Sequence, residues 1–404
     1  MVKRSADRFL TTHAGSLVRP AAIVRIMRRL ESGEPGDLHE LDAMLPAAVE
    51  EVVRRQATTG IDVPSDGEFG KRGWTAYVAE RLGGLELVAT PYGQLISGLA
   101  GTEGRRFAGF YEVYNRIERS MWLPGNQDAA LTGDVPASMW QCTGPISYIG
   151  GDALKRDIDN FKAALAKAGL EEGFLPVAAP ASVTASRRNS YYATEEEYIY
   201  AVAGALSQEY HAIVDAGLLL QVDDAFLPAQ YARMPEGTST ADYRKFAAMT
   251  IEALNHALTG IPEDRVRYHI CWGSQNVPHT WDVPLAEIVD LVLTVNAQAY
   301  SIEAANPRHE HEWHVWEDTK LPEGKILIPG VISHSTNVVE HPMLLAERIG
   351  NFARLVGREN VVAGTDCGFS QNWNLVRVHP EVQWAKLEAL VEGARLAGRQ
   401  FWTN

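Results

Sequence analysis

Val266-Arg267-Tyr268-His269-Ile270-Cys271 is a short run of mostly apolar and aromatic residues that stops at Trp272-Gly273-Ser274. A run of this length, bounded by a glycine-containing loop, reads as a β-strand. Successive strand side chains point to opposite faces, so His269 and Cys271 point the same way. Taken alone, His-x-Cys is a weak signal, because a core cysteine beside a hydrogen-bonded histidine fits it as well. Its weight comes from what recurs around it.

Working outward, seven further runs have the same character: Phe9–Ala14, Ile61–Asp66, Phe174–Ala179, Leu218–Asp223, Ala299–Glu303, Leu327–Ile332 and Val361–Asp366. Helical patterns lie between them at Pro46–Thr58, Thr194–Asp215, Thr240–Leu258, Leu285–Leu293, Pro342–Val356 and Glu381–Leu396. Pro46 is expected at the first helical position, and Thr194 is expected to cap its helix with Glu197 at the capping-box position. Alternation of strand and helix along a whole chain predicts a parallel sheet with crossover helices, and eight such units predict a (β/α)8 TIM barrel. The pattern is less regular over about 85–168. Gly93–Gly104 reads as loop and Met139–Ile149 as a strand outside the barrel, so this stretch is expected as an insertion between the second and third barrel strands. The 404 residues are therefore read as one catalytic domain, 1–404.

The period also places chemistry. His269, Glu303, His334 and Cys367 follow one another at intervals of roughly 31 to 34 residues, close to the roughly 31 residues of an average βα unit. Each lies at the C-terminal end of a predicted strand or just beyond it, on the face where barrel enzymes keep their active sites. Glu303 alone could be a salt-bridge partner or a helix cap. Taken together, His269, Cys271, Glu303 and Cys367 are a donor set that suits tetrahedral Zn2+. Two thiolates and a carboxylate make an electron-rich centre, better suited to holding a reactive sulfur than to making hydroxide.

Composition narrows the remaining classes. The formal net charge of -14, with no basic run interleaved with aromatics, argues against a nucleic-acid partner. The first ten residues lack an apolar signal core and no apolar run approaches membrane-spanning length, so no membrane is expected and the cytoplasm is the expected compartment. Three cysteines, Cys142, Cys271 and Cys367, do not suggest a disulfide framework. A chain this long needs no metal to fold, so a bound metal would serve function.

The chain resembles the C-terminal catalytic barrel of cobalamin-independent methionine synthase, from about Thr11 to Leu396. The resemblance rests on Thr11-Thr12-His13-Ala14-Gly15-Ser16, Asp66-Gly67-Glu68, Gln221-Val222-Asp223-Asp224, His269-Ile270-Cys271, Ser301-Ile302-Glu303, Ser333-His334-Ser335 and Asp366-Cys367-Gly368, in that order. It implies that His269, Cys271, Glu303 and Cys367 bind a catalytic zinc, that Ser16, Glu68 and Asp223 hold an amino-acid thiol, and that His334 carries a proton. The implied reaction is zinc-dependent thiol alkylation, with homocysteine methylated to methionine. A free thiol is only a few per cent thiolate at neutral pH, and coordination removes its proton. Glu303 is expected to be the ligand that incoming sulfur displaces, and Glu68 and Asp223 to meet the substrate ammonium group.

Family enzymes with two barrels are about twice this length. Where they carry an aromatic residue that stacks on the pterin, this chain has Pro180-Ala181-Ser182-Val183-Thr184-Ala185-Ser186. Single-barrel relatives use other donors: a methylated corrinoid, which would make a corrinoid protein a partner, or an epoxide with coenzyme M as the thiol. Arg19, Lys71 and Arg72 are the cations near enough in sequence to meet a sulfonate. Other readings are a non-enzymatic metal-binding barrel and a uroporphyrinogen-decarboxylase-like enzyme, which would leave the two cysteines unexplained. His309-Glu310-His311-Glu312-Trp313-His314 lacks His-Glu-x-x-His spacing and is read as a solvated or lid loop. Trp272 and Cys142 are assigned to packing, Glu195–Glu197 to a helix first turn, and the role of His13 is left open.

Overall fold

The computed structural model describes residues 2–31, 38–90, 102–117 and 137–402. Its strands are β1 (Leu10–Thr11), β2 (Leu82–Thr90), β3 (Ala137–Tyr148), β4 (Phe174–Ala178), β5 (Arg188–Asn189), β6 (Leu219–Asp223), β7 (Val266–Ile270), β8 (Ala299–Glu303), β9 (Ile326–Ile332) and β10 (Val362–Thr365). They form a mixed α/β fold around a curled seven-stranded sheet of order β1-β10-β9-β8-β7-β6-β4, in which every pairing is parallel. β4, β6, β7, β8 and β9 are buried along their whole length. This is the signature of a parallel sheet covered on both faces, and it explains why these runs read as nearly continuous apolar sequence.

On one face, the outer helices build the main core. On the other, a separate small cluster gathers Leu10, Phe174, Leu219, Ala299, Ile326, Ile328 and Val362 from six strands, with Val63 and Val2. Arg267 of β7 also points inward. Its guanidinium lies 3.8 Å from the Phe174 ring centroid and donates to Thr12 Oγ1 and His13 O.

The second expected strand, Ile61–Asp66, is not a regular strand. Single parallel bridges join Thr12 to Val63 and Ser65 to Phe174, so the segment touches both edges of the seven-stranded sheet. Pro64 has no N–H to give to a ladder, and the Ser65 N–H turns aside to Gln56 Oε1 at 3.1 Å.

The helices follow the sequence reading in most places. Thr194 Oγ1 accepts from Glu197 N at 3.0 Å, and the Glu197 carboxylate reaches back to Ala193 N at 3.1 Å. Pro46 is a correction. It lies inside a helix spanning Leu38–Thr59 instead of opening it. Leu41, Leu45, Val49, Val52 and Val53 are buried on both sides of it, so one continuous apolar stripe overrides the hydrogen bond that proline forfeits. The helix expected over Leu285–Leu293 is broken into a 3-10 turn, Leu285–Glu287, and a short α-turn, Val289–Val292, parted by Ile288 at φ -132.

Between residues 82 and 148, β2 and β3 pair antiparallel and β5 adds in parallel, forming a small second sheet that includes the strand expected at Met139–Ile149. Of the loop expected at Gly93–Gly104, residues 93–101 lie outside the described residues and 102–104 are helical. Helix Gly151–Ala168 follows the hairpin and packs against helix Leu38–Thr59. Among the described residues, no helix is long and apolar enough to cross a membrane.

Candidate active site

Parallel register sets the site. β6, β7 and β8 align Asp223 with His269 and His269 with Ser301, at the C-terminal ends of three neighbouring strands. His269 Nδ1 lies 3.1 Å from Ser301 Oγ, while the buried Nε2 has no hydrogen-bond partner. Cys271, just past β7, and Cys367, just past β10, bring their sulfurs within 3.9 Å. Ser274 Oγ donates to Cys367 Sγ at 3.2 Å. The mutual hydrogen bond of the two sulfurs pushes the Cys271 thiol well above the usual range and Cys367 well below it. One ligand atom from each of His269, Cys271 and Cys367 lies within 4.8 Å of the others.

Glu303, the fourth expected ligand, belongs to an adjoining group. Its carboxylate, with His334 and Asp366, forms a second set of atoms within 4.8 Å of one another. Glu303 Oε2 accepts from Trp272 N and Oε1 from Asn306 Nδ2, both at 3.1 Å. The first of these bonds ties it to the residue after Cys271. Asp366 Oδ1 accepts from Ala304 N and Ala305 N at 2.8 and 2.7 Å, bracing the loop that leaves β8. Asp366 Oδ2 and both ring nitrogens of His334 are buried without partners. Burial lowers the His334 pKa, against the opposing charges of Cys367 and Glu303. Unpartnered buried polar atoms are costly. Here they cluster around one point.

Above the sulfurs opens a cavity of about 520 Å3, whose wall includes Ser16, Glu68, Asp223, His269, Cys271 and Cys367. All three residues expected to hold substrate thus share a chamber with three of the expected ligands. Glu68 sits at φ 58, just after Gly67 at φ 71, and its N–H is fixed by Asp66 Oδ1 at 2.9 Å. Burial pushes its pKa up to about 8, with Lys71 opposing and the nearby Asp223 reinforcing. Asp223 is likewise raised by burial to about 7, although Gln221 Nε2 donates to it at 2.8 Å. Ser16 Oγ packs so closely on Gly368 that a Cβ there would lie 2.1 Å from it, which explains the glycine after Cys367.

Of the cations named for a sulfonate, Arg19 and Lys71 are engaged by backbone carbonyls, whereas Arg72 lines the chamber. Arg19 is buried and donates to the carbonyls of Glu68, Lys71 and Ser370. Lys71 Nζ bonds Pro176 O, and Arg72 pairs with Glu80. An aromatic wall that the sequence did not announce comes from three loops. Trp74 and Phe226 stack at 5.8 Å and 22°, and Trp373 lines the same chamber.

The His309–His314 stretch also departs from its reading as solvated loop. His309 and Glu312 are buried, while His311 and His314 face outward. His309 Nδ1 lies 2.8 Å from Glu312 Oε2 and Nε2 lies 2.9 Å from Asp282 Oδ2. Burial opposes charge on this imidazole, yet the two carboxylates push its pKa up to about 9. Trp272 is buried and donates through Nε1 to Val283 O, and Cys142 is a buried thiol on β3, as expected of both. His13 is tied to Gln56 at 2.7 Å. The braces Asp366, Ser301 and Ser274 escaped sequence reasoning, because their partners lie on other elements, and so did Asn306, which reaches Glu303 three residues away. Only Asp366 carried a signal, through its place beside Cys367.

Fold and site together define an α/β protein with a buried histidine–dicysteine cluster at the carboxyl ends of its parallel strands. No protein-family model matches the chain. Its sequence is 22% identical over 374 residues to the 5-methyltetrahydropteroyltriglutamate–homocysteine methyltransferase of Thermotoga petrophila, covering 91% of this chain and 42% of that protein. It is 21% identical over 393 residues to the methionine synthase of Thermococcus kodakarensis, covering 96% and 94%. The chain thus spans less than half of the first relative and nearly all of the second. The structure of a B12-independent methionine synthase from Shewanella superposes with a TM-score of 0.66 at 18% identity, covering 97% and 98%. The chain is thus similar over nearly its whole length to proteins named methionine synthase and shares the fold of the B12-independent enzyme.

Proposed function

We propose that this chain is a zinc-dependent thiol methyltransferase that converts homocysteine to methionine within a closed eight-stranded (β/α)8 barrel. Closure is inferred from residues 61–66, which bridge both free edges of the seven-stranded sheet, and from the small inner cluster that Val63 completes. The observation that carries the function is the convergence of His269, Cys271 and Cys367 on the floor of a chamber walled by Ser16, Glu68 and Asp223.

The donor set fits zinc. Two sulfurs 3.9 Å apart, an unpartnered buried imidazole nitrogen and an adjoining carboxylate match the ligand types it takes. His269, Cys271, Cys367 and Glu303 would hold it. Zinc there supplies Lewis acidity that keeps a coordinated thiol deprotonated, while the thiolates around it leave that sulfur electron-rich.

The remaining work falls to side chains. Glu68 and Asp223 bind the ammonium group of homocysteine, and a cation between two buried acids restores both to their ionised forms. Ser16 offers a hydroxyl at the same end of the chamber. His334 is neutral with both nitrogens unpartnered, so it takes the proton that the thiol gives up. The sulfur then forms its new bond to the methyl carbon as the bond from methyl to donor breaks. His334 returns its proton to the leaving group. Hydrogen bonds from Trp272 N and Asn306 Nδ2 orient the Glu303 carboxylate beside the donor set, where it would hold the metal.

The homocysteine reading is favoured over epoxide opening with coenzyme M. Glu68 and Asp223 face the chamber, whereas Arg19 and Lys71 are engaged by backbone carbonyls. The deciding experiment measures metal content and S-methylation of homocysteine with methyltetrahydropteroyl polyglutamate and with methylcobalamin as donors. About one zinc per chain is expected, with Cys271→Ser and Cys367→Ser lowering zinc affinity and abolishing turnover. Full turnover in both variants would end the proposal, and turnover with coenzyme M alone would replace the acceptor.

A further inference from the structure

The loop from Trp272 to Pro284 makes two contacts with the donor set. Its first residue follows Cys271 and donates N–H to Glu303, and Ser274 donates to Cys367. The loop is held both from within and by its neighbour. The loop after β8 grips it at three points: Arg308 Nε donates to His279 O at 2.7 Å, Glu312 Oε1 accepts from Leu285 N at 2.6 Å, and His309 meets Asp282 at 2.9 Å. Asp282 Oδ2 is also 2.9 Å from His279 Nδ1, and His279 Nε2 reaches Gln275 O at 2.8 Å, so the carboxylate organises the turn from within.

His309 is the centre of this clasp. Each of its ring nitrogens faces a buried carboxylate, so both carry hydrogen. The ring lies flat on the indole of Trp272, with centroids 3.9 Å apart and planes at 20°. A cation against an aromatic face is attracted by the ring quadrupole, the more so away from water. The ring therefore fixes the residue that stands between Cys271 and the hydrogen bond to Glu303.

We propose that His309 is a positioning residue for the metal centre, acting through Trp272 to set where Cys271 and Glu303 stand relative to each other. It need not touch metal or substrate. The inference rests on the zinc reading above, and it predicts a change in the geometry of the centre in addition to any change in stability.

The test uses full-length His309→Gln, whose amide keeps polar contact but loses the charge and the aromatic stack. Asp282→Asn, nearly isosteric and neutral, serves as the second variant should the first fail to fold. For wild type and variants, zinc affinity is measured by chelator competition, the visible spectrum is recorded with Co2+ in place of zinc, and thermal midpoints are taken without metal. The expected result is a roughly tenfold or greater loss of zinc affinity, in the range for groups that orient metal ligands. The Co2+ bands should also shift in position and intensity. Unchanged affinity and spectrum in a folded variant, even with a lowered midpoint, would make the clasp merely structural and overturn the proposal. A wild-type protein that takes up no metal would instead overturn the zinc reading, and the positioning role would fall with it.

Discussion

Glu68 stands in a left-handed backbone conformation, in a chamber that has little water to offer its charge. Its pKa is raised to about 8 while that of an unfolded glutamate stays near 4.5. Between those values the unfolded chain has released a proton that the folded one keeps. Stability is therefore intact below about pH 4.5 and falls as pH rises, by about 1.4 kcal/mol per unit at most from this group, levelling off above about pH 8. Urea denaturation of metal-free protein at several values from pH 5 to pH 8 should show that decline, and Glu68→Gln should flatten it. Equal slopes would mean that Glu68 is already ionised in the folded protein. At this scale the sequence was informative wherever a residue's role follows from its motif, as with His269, Cys271 and Cys367. It was silent on His309, whose meaning depends on Asp282 and Trp272 reaching it from another loop.

Helices and strands were legible in proportion to how local their causes are. Thr194 caps its helix through a bond between residues three apart, so composition and spacing sufficed. Thr194→Ala should destabilise the protein by about 1 kcal/mol, the usual worth of such a cap. Chemical denaturation would register it as a lower midpoint with an unchanged slope, whereas no shift would show the cap to be redundant with packing. Pro46 misled because its effect is set by the tertiary burial of Leu41, Leu45 and Val49, which no local rule contains. Ile61–Asp66 looked like a strand because its alternation is real, yet Pro64 and the diverted Ser65 N–H leave it joined to its neighbours by single bridges.

Across the whole molecule, the periodic strand–helix order made the parallel sheet readable, whereas the small sheet of β2, β3 and β5 was only half visible. Antiparallel register over a long connection has no repeating sequence signal, and neither does the placement of Leu87, Met139 and Trp140 in the chamber wall. The same architecture makes a prediction for dynamics. Amides in β6, β7 and β8 lie in continuous ladders at the centre of the sheet, while the segment around Pro64 does not. Native-state hydrogen exchange should find residues 62–65 opening at markedly lower free energy than 220–222 or 267–270. Equal protection would show the segment to be as firmly held as a regular strand.

That thinly joined segment ends at the turn that presents Glu68, whereas Cys271 follows the continuous ladder of β7 and Cys367 the short pairing of β10 with β9. Under the proposed function, the grip on the acceptor's ammonium group would be mounted more loosely than the sulfur of Cys271, and substitutions between residues 66 and 72 would retune the acceptor while leaving the strand that carries Cys271 undisturbed.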